Sequence, residues 1–316
     1  MDDKIKLGIS ACLLGNQVRY DGQHKLDRFL KDQLGQYVEW VPVCPEVECG
    51  LPVPREAMRL VGTPEAPRLI TTHSGVDLTE KMQAWIGQKL PQLEKEQLCG
   101  FVFKSKSPSS GMQGVKIYTE QGMPARQGSG LFARAFMERF PLLPVEDEGR
   151  LNDAGLRENF IERIFVRHRW EQYLANDGSP AGLVDFHTRH KLLLMAHAPA
   201  ALKPLGNLVA QGRRADRVRL RREYLEQLMS ALKLRATTRK NTNVLDHIMG
   251  YFKNQLTADE KKELKEIIAQ YHQGLVPLIV PVVMLRHYVR KFDEPYLKAQ
   301  FFLHPHPSEL KLRNHA

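Results

Sequence analysis

The sequence predicts an α/β N-terminal domain over residues 1–150, with a mostly parallel, Rossmann-like sheet, followed by an all-α helical domain over residues 157–316. Three observations carry this reading. Up to residue 150, short apolar runs alternate with turn-rich loops and helical stretches, the pattern of parallel strands joined by crossovers. Beyond residue 156 the runs lengthen and repeat every three to four residues, as amphipathic helices do. A length of 316 residues also suits about two domains of roughly 150 residues each.

The elements follow in order. Ile5–Ala11 (IKLGISA) is a short apolar strand that runs into the loop CLLGNQVRYDG. Residues 24–35 have helical periodicity. Gln36–Val43 is a second strand, stopped by the turn chemistry of CPEVECGLPVPRE. Met82–Leu93 is a helix, with Pro91 as its candidate terminator. Leu98–Lys104 is a third strand, followed by SKSPSSGM. Gly128 and Gly130 open a helix that reaches Arg139, and Pro141–Val145 is a last strand. The polar, acidic residues 146–156 read as the linker. The second half then offers helices over Phe160–Leu174, Leu183–His197, Lys203–Ala231, Asn243–Lys253 and Thr257–Gly274, the last with Thr257 as N-cap.

Composition narrows the function classes. With 42% hydrophobic and 26% charged residues, the chain has material for packed cores. The net charge of +10 and a pI of 9.4 favour an anionic partner, nucleic acid before membrane. No stretch approaches the ~18–20 apolar residues of a membrane span. Met1–Lys6 lacks the pattern of a signal peptide, so a cytoplasmic setting is expected. A reducing compartment argues against disulfides among Cys12, Cys44, Cys49 and Cys99.

Special residues fall where predicted strands end. Cys12 follows the first strand, Cys44, Glu46 and Cys49 the second, Ser107 and Ser110 the third. In open α/β sheets those ends share one edge, where ligands bind. Thiolates there select zinc or iron–sulfur groups. The only close pair is Cys44-x₄-Cys49, with no second zinc knuckle, so a cluster, another metal and inert buried thiols all stay open. Burial suits Cys99, inside an apolar strand.

The strings SACLLGNQVRYDG, PVCPEVECGLPVPRE and KSKSPSSGM resemble the signature turns of the thiouracil desulfurase family. LVDFHTRHKLLLMAHAP, LGNLVA and PHPSELKLRNH resemble the helical domain of two-domain tRNA 4-thiouridine desulfidases. The resemblance implies a 4Fe–4S cluster on three cysteines, with one iron left for substrate sulfur. It implies Cys12 and Cys44 as ligands. The family's third ligand sits in a SPSCG string, where this chain has Ser110; Cys49 stands where the single-domain members have glycine, so the third ligand is expected at Cys49. Glu46 matches the catalytic carboxylate, suited to act as a general base on water. Ser107 matches the active-site serine. Lys104 and Lys106 flank it and suit a phosphate or a hydrosulfide leaving group, or simple solvation.

Arg19 or Arg55 could orient a base or phosphate, or could pair with Asp21 or Glu56. The Gly128/Gly130 pair opens a helix whose N-terminus suits an anion. Arg213, Arg214, Arg217, Arg219, Arg221 and Arg222 crowd one run, and Lys233–Lys240 follows, a footprint for RNA. His187, His190 and His197 share a side of one predicted helix, more as polar contacts in the bundle than as a zinc site. The resulting expectation is a hydrolytic, non-redox desulfidase acting on 4-thiouridine, with tRNA or a thiolated nucleoside as partner and no membrane. The alternatives are a desulfurase of free thiouracil, an RNA-binding redox sensor and a structural-metal protein.

Overall fold

The computed structural model describes residues 4–119, 121–212 and 216–315. The chain divides into two compact units, Met1–Asn152 and Asp153–Ala316. The first contains β1 (Ile5–Ser10), β2 (Val38–Val43), α1 (Pro45–Glu48), β3 (Met58–Gly62), β4 (Pro67–Thr71), α2 (Thr79–Lys95), β5 (Phe101–Phe103), β6 (Val115–Tyr118), β7 (Pro124–Gly128), α3 (Leu131–Arg139) and β8 (Val145–Asp147).

One sheet has the order β2-β1-β5-β8 and is parallel throughout. Its central strands β1 and β5 are short, apolar and buried. Phe101, Val102 and Phe103 of β5 are all buried. Phe101 and Phe103 meet Phe132 and Phe136 of α3, with Phe101 and Phe136 at 4.8 Å between ring centres. Each such ring contributes about 1.5–3 kcal/mol by leaving water. Met82, Ile86 and Leu93 of α2 join the same core.

A second sheet, β4-β3-β6-β7, went unread in the sequence. It is two antiparallel hairpins joined by the parallel pair β3/β6. The predicted helix over residues 24–35 is reduced to a short π-turn at Phe29–Gln33 and a 3₁₀ turn at Leu34–Gln36. Pro91 does not stop α2, which continues to Lys95. The expected linker is also partly structure: Glu146 and Asp147 are buried in β8, and Asp153 caps the next helix by accepting from the Leu156 amide at 2.8 Å.

The second unit is helical: α4 (Ala154–Asn176), α5 (Pro180–His197), α6 (Leu202–Ala210), α7 (Arg217–Lys233), α8 (Thr238–Tyr251), α9 (Ala258–His272), α10 (Ile279–Lys291) and α11 (Pro295–Lys298). The run expected as one helix over Lys203–Ala231 is two, with Asp216 as the N-cap of α7. Thr257 and Glu260 form a reciprocal capping box at the start of α9. Trp170 and Tyr224 stack at 5.5 Å in the bundle core. No helix among the described residues is long and apolar enough to cross a membrane.

Candidate active site

Because β1, β2, β5 and β8 run parallel, their carboxyl ends share an edge, and a cleft of about 400 Å³ opens there. Cys12 enters from the 3₁₀ turn Ala11–Leu14 after β1, a turn closed by Gly15 at φ 97°. Cys44 is the extended residue ahead of α1, and its N–H donates to Glu48 Oε1 at 2.9 Å. Lys104–Ser110 follow β5. Cys12, Cys44, Glu46, Arg55, Ser107 and Ser110 all line the wall.

Glu46 is the centre of the arrangement. It is 9% exposed, and its Oε1 accepts from the Ser109 hydroxyl at 2.5 Å. Its Oε2 lies 3.5 Å from Cys44 Sγ and 3.9 Å from Arg55 Nη2. Burial pushes the Cys12 thiol up to about 11, against the pull of Lys104. Burial, then the Glu46 charge, pushes Cys44 up to about 12. Both sulfurs are therefore protonated thiols until a soft cation displaces the protons.

The serine turn after β5 brings three hydroxyls close together. Ser107 lines the cleft, but its hydroxyl accepts from the backbone amides of Ser109 (3.3 Å) and Ser110 (3.1 Å). It fixes its own turn, while Ser109, which the sequence reading passed over, holds the carboxylate. The turn is anchored from behind by α3. The amides of Phe132 and Ala133 donate to the Ser109 carbonyl at 2.9 and 3.1 Å. Gly130 makes that approach possible, since a Cβ there would lie 2.5 Å from the Ser109 carbonyl. Gly130 thus serves close packing, and the amides of the α3 N-terminus go to the turn's carbonyls instead of an outside anion.

Cys49 lies apart from Cys12 and Cys44 and is not on the cleft wall. Its thiol donates to the Glu46 carbonyl at 3.2 Å, and its side chain packs against the apolar core. Ser110, 3% exposed, does line the cleft. The donor set at the wall thus includes two thiols from two strand ends, the Glu46 carboxylate and several hydroxyls, Ser107 and Ser110 among them. Thiolates are what soft metals and iron–sulfur groups take, so Cys12 and Cys44 fit such a group, with Ser110 as the third protein donor at hand.

The cations are mostly engaged. Lys104 pairs with Glu148, a residue the sequence reading did not single out. Arg19 pairs with Asp21 at 3.4 Å. Arg55 donates to the Val18 carbonyl at 3.0 Å and turns toward Glu46, while Glu56 accepts from Ser74. Lys106, in the left-handed region at φ 59°, lines the cleft beside Ser107.

The helical unit buries a second polar centre. His197 bonds Glu162 through Nε2 at 2.9 Å and the Leu234 carbonyl through Nδ1 at 2.7 Å. Arg313 reaches Glu162 at 2.8 Å and Glu158 at 3.1 Å. Burial opposes the Glu162 charge, but His197 and Arg313 prevail and hold its carboxyl below the usual range. His187 bonds the Tyr224 hydroxyl and His190 the Phe186 carbonyl, so the three histidines have three separate partners and share no metal site. Of the arginine run, Arg213 and Arg214 lie outside the described residues. Arg221 donates to the Gly178 carbonyl and Arg222 pairs with Glu226 at 2.9 Å, while Arg217 and Arg219 are exposed.

Comparison with known proteins agrees with this division. The model of the 2-thiouracil desulfurase family matches residues 7–148. The model of DUF1722, a protein family of unknown function, matches residues 191–307. The uncharacterized protein YbgA of Escherichia coli (strain K12) is 28% identical over 167 residues, covering 52% of this chain and 98% of YbgA. A solved structure of a 4Fe-4S-dependent thiouracil desulfidase, TudS, is 32% identical, covering 48% of this chain and 95% of that one, with a TM-score of 0.39. Through its first unit the chain belongs to the 2-thiouracil desulfurase family, and it carries a DUF1722 domain behind that unit.

Proposed function

We propose that the chain is an iron–sulfur-dependent desulfidase that converts 4-thiouridine, carried in tRNA, to uridine and hydrosulfide. The observation that carries this reading is the meeting of two buried thiols, Cys12 and Cys44, with the Ser109-held carboxylate of Glu46 in one cleft. The related TudS is described as 4Fe-4S-dependent, and Cys12, Cys44 and a third donor, Ser110, would hold such a cluster here. When bound, the cluster supplies a thiophilic Lewis acid that polarises the carbon–sulfur bond.

The chain's own residues do the rest. Ser109 and Arg55 fix the Glu46 carboxylate, which takes a proton from a water molecule aimed at the ring carbon. Water oxygen replaces sulfur on that carbon, sulfur leaves as hydrosulfide, one proton is released, and no electron is transferred. A cleft of about 400 Å³ suits one nucleoside unit. Tyr20, 45% exposed, offers a stacking face at the rim. The basic balance of the whole chain supports a polyanionic substrate.

The test is anaerobic reconstitution with iron and sulfide, followed by assay of hydrosulfide released from 4-thiouridine in tRNA and from the free nucleoside. The wild type is expected to release it, from tRNA most efficiently. Glu46→Gln is expected to lose about 10²-fold or more in turnover with its iron content unchanged. An iron-loaded wild type that releases nothing from either substrate refutes the proposal.

A further inference from the structure

Arg169 of α4 and Arg189 of α5 converge on one aromatic ring. The Arg169 guanidinium carbon lies 3.8 Å from the centre of Phe301, and that of Arg189 lies 4.7 Å from it. The segment carrying Phe301 is pinned to α5 by its amide, which donates to the Arg189 carbonyl at 2.9 Å. Two like charges on one ring repel. Burial first, and Arg189 second, pull Arg169 down to about 9.

These cations are short of acceptors. Arg169 donates to the Pro305 carbonyl, but its Nη1 is buried with no partner, and it has no carboxylate partner among the described residues. The Nε of Arg189 is likewise buried without a partner. Its ion pair is with Asp185 at 3.6 Å, an aspartate 67% exposed. An exposed pair of this kind is worth at most about 1 kcal/mol. Behind the ring, His190 packs on Phe301 at 4.5 Å and brings no negative charge.

Both arginines face a cavity of about 400 Å³. Gln172 and Asn176 line it too, as do two carboxylates, Asp185 and Asp177, the second of which accepts from the Ser179 hydroxyl at 2.8 Å. Gln172 and Asn176 lie three and seven residues beyond Arg169, on the same face of α4, and add amide donors. Two forked cations, with the Arg189 side chain 43% exposed, and the neutral amides beside them match the oxygens of a phosphoryl group.

The geometry points to a phosphoryl-binding site in the helical unit, formed by Arg169 and Arg189 around Phe301. The shared ligand chemistry is an oxyanion of phosphorus, from an RNA backbone or from a free nucleotide. Asp185 and Asp177 line the same cavity and oppose an anion there. Nothing in the desulfidase reading is needed for this site, which lies wholly in the other unit.

The test is calorimetric titration of the full chain with inorganic phosphate, uridine monophosphate and the dinucleotide UpU, at fixed ionic strength set with chloride. Phosphoryl probes are expected to bind, with Arg189→Gln and Arg169→Gln each weakening them about tenfold or more. Asp185→Asn, which removes no buried contact, is expected to tighten them about threefold. It keeps the test decisive if Arg169→Gln fails to fold. Tighter UpU than uridine monophosphate assigns the site to the RNA backbone, and the reverse order to a free nucleotide. Affinities unchanged in both Arg189→Gln and Asp185→Asn, or no binding of any probe, overturn the proposal.

Discussion

The two units meet the same physical problem in opposite ways. Both bury groups that water would otherwise solvate. The α/β unit leaves its buried thiols neutral, with burial pushing Cys12 and Cys44 up, and gives Glu46 a hydroxyl partner. At its polar centre the helical unit pairs groups with one another: Glu162 meets Arg313 and His197, and Glu158, which burial pushes up to about 7, meets the same Arg313. Neutral groups held beside an open cleft are ready to take a cation. Charges matched against each other in a bundle are already satisfied. The difference teaches that burial alone does not mark a reactive site; burial with incomplete pairing does.

The largest effect that bears on this contrast comes from Arg313→Ala. It strands two carboxylates without their shared counter-charge, at a cost of about 3–5 kcal/mol. Urea unfolding should show the loss. A change under 1 kcal/mol would break the contrast, since the network would then not depend on pairing. Gly130→Ala is next. Its Cβ would press on the Ser109 carbonyl and shift the turn, and hydrosulfide release is expected to fall about 10²-fold. Ser109→Ala removes a hydrogen bond to a charged group and is expected to cost about tenfold in turnover, read with the same assay. The smallest effect is expected for Cys49→Ser, which should leave iron content near that of the wild type, whereas Cys12→Ser or Cys44→Ser should abolish it. Iron lost from Cys49→Ser as well would move the third donor from Ser110 to Cys49.

Much of this was legible from residues alone. The parallel sheet was readable because β1, β2 and β5 are apolar runs that end in turn chemistry. The second sheet was not, because β3, β4, β6 and β7 are short and carry charges such as Arg59, Arg68 and Lys116. Helix α10 escaped because Pro277 and Pro281 interrupt an apolar run, yet Pro281 sits in its first turn, where no amide is missed. Within the cleft, the strand-end rule located Cys12, Cys44 and Glu46. It did not say where Cys49 points, since spacing within a turn does not fix which way a side chain faces. It placed Ser107 and Ser110 at the cleft but left out Ser109, because the three are the same residue type and only the backbone path decides which hydroxyl meets Glu46.

The anchoring of the serine turn on α3 offers a practical handle. The Phe132 and Ala133 amides touch no wall of the cleft, yet both end on the residue that grips the base. Their hydrogen-exchange rates and nitrogen chemical shifts are a remote gauge of whether that grip is closed. Substrate analogues can be ranked by them in protein that performs no turnover at all.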